Sequence, residues 1–145
     1  MRILMLQDDF PPEVCGGAEI STLGLACGFK AVGHEVFVIT TCREKSKEGE
    51  SDYQGVKVFR IPADYHERYR AYLSLYNFQT VGKVKTLINQ INPDVVHAHN
   101  IHYYLSYYCL KLAKDLGKPV FLTVRDVMPF SYGKLATPKY LKSLN

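Results

Sequence analysis

Short apolar runs alternate with longer segments of helical period along this chain, and that alternation restricts the fold more than any single motif. Ile3-Leu4-Met5-Leu6 and residues 36–41, 56–61, 95–98 and 120–124 have strand length. Between them, apolar residues recur at three and four positions, as at Ile20, Leu23, Cys27 and Ala31. The pattern predicts an α/β fold, a Rossmann-like parallel sheet with helices on both faces. Residues 36–41 form a continuous apolar run, as a strand covered on both sides requires. With 145 residues, 47% of them apolar, the chain suits one domain over 1–145 with a substantial core.

The spacing predicts a strand over 2–6, a polar loop over 7–17, and a helix over 18–32 that Gly33 closes in a left-handed cap. Residues 43–54, charged and glycine-containing, read as a solvated loop. The alternating run 56–61 reads as a shorter strand near a sheet edge, ended by Pro62. A long helical segment spans 65–92, interrupted near Asn77. A second long helix covers 102–116 and ends at Gly117. Thr137-Pro138 marks the start of a last short helix.

Charge and cysteine usage exclude several classes. The formal charge of +4 is mild. It suits an anionic small ligand or an anionic membrane surface, and no Lys/Arg cluster is long enough for a nucleic-acid stripe. Cys15, Cys27, Cys42 and Cys109 are scattered without a CxxC, so neither a zinc knuckle nor a redox pair is indicated. Reduced thiols in a cytosolic protein are the expectation. The first apolar run is too short for a signal-peptide core or a spanning helix, which leaves room for peripheral membrane contact.

Candidate chemistry gathers at the carboxyl ends of the strands. Gly16-Gly17 joins the first strand to the first helix, where adjacent glycines allow positive φ and clear the way for an anion to approach backbone N–H groups. The turn is neither GxGxxG nor GxxxxGK[ST], and a ligand-free tight turn remains an alternative. His97, His99 and His102 follow the fourth strand in His-Ala-His-Asn-Ile-His. If the strand continues, His97 and His99 point to the same side. Three readings stay open: a metal site completed by Asp94 or Asp126, a core-satisfied imidazole at His97, and a cleft lined by His99 and Asn100. Arg125-Asp126 ends the fifth strand at the same edge. Arg125 either forks onto a phosphate or carboxylate or pairs with a neighbouring acid. Interleaved Tyr and Arg over 65–76, with Tyr103, Tyr104, Tyr107 and Tyr108, serve as amphipathic packing or as a platform for a sugar, a lipid-linked acceptor or a membrane interface.

Taken in order, five segments resemble the amino-terminal domain of the family 4 glycosyltransferases. They are Arg2-Ile-Leu-Met-Leu; Pro12 through Gly16-Gly17-Ala18-Glu19; Gly33-His34-Glu35-Val36-Phe37-Val38; Pro93-Asp94-Val95-Val96-His97-Ala98-His99; and Lys118-Pro119-Val120 leading to Thr123-Val124-Arg125-Asp126. The resemblance covers nearly the whole chain.

It implies the amino-terminal half of a GT-B fold, two facing Rossmann-like domains with the active site between them. It also implies retaining transfer from a nucleotide-sugar donor to a glycan, lipid-linked or small-molecule acceptor, without a metal or other cofactor. Gly16, Gly17 and Glu19 then face donor phosphate or acceptor, and His99, Asn100, Arg125 and Asp126 line the acceptor pocket. No residue is assigned as catalytic. The donor-binding carboxyl-terminal domain is absent from the chain, so inactivity alone is the expectation. Many members carry histidine where this sequence has Arg125, a departure that signals an anionic acceptor. A non-catalytic binding module, or one subunit of a split transferase, is the alternative.

Overall fold

A computed structural model describes residues 1–126. The predicted last helix at Thr137-Pro138 lies outside the described residues. The elements run β1 (Arg2–Leu6), α1 (Gly17–Ala31), β2 (Glu35–Cys42), β3 (Gly49–Tyr53), β4 (Val56–Pro62), α2 (Arg70–Leu73), α3 (Val81–Ile91), β5 (Val95–Ala98), α4 (Tyr108–Asp115) and β6 (Val120–Leu122). Six strands form one sheet in the order β3-β4-β2-β1-β5-β6. Every pairing is parallel except β3 with β4.

Alternation along the strands builds two cores. Ile3 and Met5 face one side with Val36, Val38, Val56 and Val58, where Leu23 and Ala26 of α1 cover them. Leu4 and Leu6 face the other side with Phe37, Ile39, Phe59 and Ile61, against Val84 and Ile88 of α3 and Leu112 and Ala113 of α4. The period of two in the strands and of 3.6 in the helices thus produces the expected two-sided α/β sheet. Gly33 closes α1 at φ 90°, in the left-handed conformation expected of it.

Three local expectations are corrected. Residues 43–54 are not a plain loop. Gly49–Tyr53 is an antiparallel edge strand paired with β4, so β4 lies one place inside the edge. The long helix expected over 65–92 is regular only over Val81–Ile91, after a short turn of helix at Arg70–Leu73. The helix expected from His102 starts at Tyr108, because Ser106 adopts φ 79°, outside the right-handed helical region, and interrupts the run.

Candidate functional site

From β1 the chain steps outward through β2 to β4 on one side and then returns to place β5 and β6 on the other. The strand order therefore reverses at β1, and the loops after β1 and β5 open away from each other at the carboxyl edge. In open α/β sheets ligands bind in the crevice that such a reversal leaves. Five of the seven residues proposed from sequence for ligand binding, Gly16, Gly17, Glu19, His99 and Asn100, sit on these two loops or in the first turn of α1.

Gly16 is the N-cap of α1, at φ −81° and ψ 177°, and no side chain caps the helix start. Neither the cap nor the first helical residue, Gly17, uses positive φ, so the reason given for the glycine pair is corrected. What Gly17 provides is space. A Cβ built there meets nothing within 4 Å. The first-turn N–H groups therefore face outward at the positive end of a 15-residue helix. A side chain on Gly16 would run into the Glu19 carboxylate. Glu19 itself accepts from Gln7 Nε2 at 3.3 Å, and Gln7 Oε1 accepts from Thr22 Oγ1 at 3.2 Å. Buried Gln7 thereby ties the glycine turn to the body of α1.

The histidines stack as the strand periodicity predicts, with ring centroids of His97 and His99 4.3 Å apart. Their burial reverses the expectation. His99 is 2% exposed, whereas His97 is half-buried and meets Thr123 Oγ1 at 2.7 Å. Arg125 Nε donates to His99 Nδ1 at 3.3 Å, and its Nη1 donates to Ser21 Oγ on α1 at 2.7 Å. Burial, His97 and Arg125 together pull the His99 imidazole down to about 3. Burial and then Arg125 also lower His97. Among the described residues Arg125 thus meets His99 and Ser21 rather than an acid. Asp126 lies 3.3 Å from His102 Nε2, whose own pKa burial holds below the ordinary value against the pull of that carboxylate. Asn100 accepts the Asp8 N–H on its backbone oxygen at 2.7 Å. Among the described residues no group of three His, Cys, Asp or Glu side chains could hold a metal ion.

Behind the crevice lies a frame that the sequence reading did not find. Asp8, fully buried, accepts N–H bonds from Tyr103, Tyr104 and Leu105 at 2.7, 2.9 and 2.7 Å. Its backbone oxygen accepts from the hydroxyls of Thr40 and Thr41. One residue therefore joins the ends of β1 and β2 to the loop after β5. Arg60 on β4 is also buried and holds the loop before the glycine turn, donating to Glu13 at 3.2 Å and to the Pro11 oxygen at 3.0 Å. Arg43 donates to Asp9 at 2.9 Å and lies 3.3 Å from the Tyr104 ring centroid. The available signal was an acid two residues after a strand, and an arginine that breaks the alternation of another by falling next to its apolar positions.

Beside this edge, Tyr65, Tyr69, Tyr72, Leu73, Phe78 and Gln79 surround an open, almost wholly apolar cavity of about 510 Å³. Tyr72 and Phe78 are 76% and 71% exposed. Arg70 reaches back over the Tyr103 ring.

An open carboxyl edge at a strand-order reversal, faced by an uncapped helix start and a fixed arginine–histidine pair, defines a Rossmann-like domain with a candidate ligand crevice. The chain belongs to Glycosyltransferase Family 4, whose profile matches residues 15–144; this is the family its ordered motifs resemble. It is 29% identical over 100 residues to an uncharacterized glycosyltransferase of Methanocaldococcus jannaschii, covering 69% of this chain and 25% of the relative. It is 29% identical over 146 residues to the glycogen synthase of Mycobacterium tuberculosis, covering 86% of this chain and 33% of that enzyme. The chain thus spans a quarter to a third of the length of these relatives. Among solved structures, sucrose-phosphate synthase of Thermosynechococcus elongatus superposes with a TM-score of 0.66 at 13% identity, over 95% of this chain and 36% of that one. That likeness establishes the fold.

Proposed function

We propose that this chain is the amino-terminal, acceptor-side half of a retaining, nucleotide-sugar-dependent glycosyltransferase, inactive without a donor-binding half. The observation that carries the reading is the uncapped start of α1 opening at the same sheet edge as His99 and Arg125. Glycogen synthase among the relatives supports sugar transfer. A trehalose-6-phosphate protein of E. coli, similar in fold with a TM-score of 0.51, was solved with UDP-2-fluoro glucose bound, which supports a nucleotide-sugar donor.

In this reading an acceptor hydroxyl attacks the anomeric carbon on the face from which the diphosphate leaves. The new C–O bond forms as the bond to phosphate breaks, and the hydroxyl proton passes to the leaving oxygen. Backbone N–H groups at Gly17 and Ala18, in the field of the helix dipole, stabilise the charge that develops there. His99, Asn100, Arg125 and Asp126 line the acceptor side, and no metal or cofactor is required. The aromatic cavity beside the edge suits a lipid-linked acceptor presented at the cytoplasmic face of a membrane, where Tyr rings and arginine head groups sit favourably.

The test uses a longer protein that carries this chain followed by a second domain. Incubated with a panel of nucleotide sugars, it releases nucleoside diphosphate, and the product keeps the donor's anomeric configuration. An inverted product overturns the retaining mechanism. Absence of release with every donor favours a binding module.

A further inference from the structure

His99 is held in a way that settles where its proton sits. An arginine side chain carries only donors, so the nitrogen it meets must be an acceptor. Arg125 Nε donates to His99 Nδ1, which leaves the proton of a neutral ring on Nε2. Arg125 is anchored in turn to α1 through Ser21 Oγ. The other ring neighbour is His97, stacked at 4.3 Å and bonded to Thr123. The backbone N–H of His99 is committed to the Leu6 oxygen at 2.9 Å. With Arg125 and His97 beside it and little solvent, the ring does not take up a second proton near neutrality.

The Nε2 atom is buried and has no hydrogen-bond partner among the described residues. A buried N–H without a partner is destabilising, because it has lost its hydrogen bond to water and gained none in return. Such a group, fixed at the crevice edge, is complete only when an oxygen from elsewhere reaches it. An uncharged donor suits a hydroxyl or ring oxygen.

We propose that Arg125 is a positioning residue that locks His99 in its uncharged Nε2–H form, and that this N–H donates to an uncharged oxygen of the bound sugar or acceptor. The ligand half of this assignment rests on the glycosyltransferase reading. The proton placement does not.

Two experiments separate these parts. In ¹⁵N NMR of the chain, His99 shows a bare Nδ1 and a protonated Nε2, unchanged from pH 8 to pH 5. Arg125→Met raises the His99 titration and admits the Nδ1–H form. Ser21→Ala, at an exposed position on α1, frees the arginine with the fold intact and moves His99 in the same direction. A protonated Nδ1 in the wild type, or a His99 signal that ignores both substitutions, overturns the positioning role. In the longer protein, His99→Gln places an amide N–H near the Nε2 position, and His99→Asn places one near Nδ1. The Gln variant should exceed the Asn variant by about ten-fold in kcat/KM, the worth of one hydrogen bond. Equal rates overturn the ligand contact while leaving the glycosyltransferase reading intact. If the wild type transfers no sugar, the ligand contact falls with that reading, and the NMR result stands.

Discussion

The carboxylate of Asp8 accepts the backbone N–H of Leu105 at 2.7 Å, across 97 positions of sequence. Tyr103 and Tyr104 donate to the same carboxylate. The loop after β5, which carries the residues facing the crevice, is therefore shaped from the end of β1. Truncation by Asp8→Ala leaves three buried N–H groups without an acceptor, at about 1–3 kcal/mol each. The expected loss of more than 3 kcal/mol is measured by denaturant unfolding; a loss below 1 kcal/mol contradicts the bracing role.

The same residue makes stability depend on pH. Burial raises the Asp8 carboxyl from 3.8 to about 7, against the opposing pull of the three N–H groups. Because the folded value lies above the unfolded one, the contribution is full below pH 4 and is lost as pH rises through 7. At about 1.4 kcal/mol per pKa unit, the wild type loses up to ~4 kcal/mol across that window. Asp8→Asn keeps an acceptor oxygen and cannot ionise, so its stability falls less from pH 4 to pH 8. Parallel curves for the two proteins would refute the assignment.

Gly17 separates fold from function. Its Cβ position is open and its backbone helical, so Gly17→Ala should raise stability by roughly 0.5–1 kcal/mol. The added methyl stands in front of the first-turn N–H groups and weakens donor binding in the longer protein by about ten-fold. Thermal melts and KM for the nucleotide sugar check the two halves. A variant that is more stable and equally active removes the helix start from the site.

Arg60 reaches the loop before the glycine turn from inside the sheet, with only 6% of its side chain exposed. Arg60→Leu releases Glu13 and the Pro11 oxygen together. Amide exchange at residues 13–17 should accelerate about ten-fold or more, while the core of β1 keeps its protection. Unchanged exchange in the loop would show that Arg60 does not hold it.

Tyr72 and Phe78 stand out from the fold beside the crevice. Their replacement by serine should leave the melting temperature within ~2 °C of the wild type, because neither is buried. Co-sedimentation with vesicles containing anionic lipid should fall several-fold. Equal co-sedimentation assigns the cavity to something other than a membrane-presented acceptor.

The sheet was legible in the sequence because β1, β2, β4 and β5 bury both faces and read as apolar runs. Edge strand β3 was not. Its residues, Gly-Glu-Ser-Asp-Tyr, lie almost wholly in solvent, so hydropathy carries no trace of it. Its one signal is the turn: Gln54 and Gly55 both have positive φ, at 51° and 76°, and Asp52 accepts the Gly55 N–H. The break near Asn77 was visible, and there Asn77 Nδ2 donates to the Tyr104 oxygen at 2.6 Å. The late start of α4 was not, since it follows from the left-handed backbone at Ser106, which no glycine marks. At the site, the shared side of His97 and His99 followed from strand periodicity. Which of them is buried depends on Arg125 and Ser21, which arrive from opposite ends of the chain and leave no local pattern.

In the proposed function the donor's phosphates meet this domain at the start of α1. In the longer protein with selective ¹⁵N labels, titration with a nucleotide sugar that it consumes should shift the amides of Gly17 and Ala18 most strongly. Shifts confined to residues far from the start of α1, with those two signals unmoved at saturation, would contradict it.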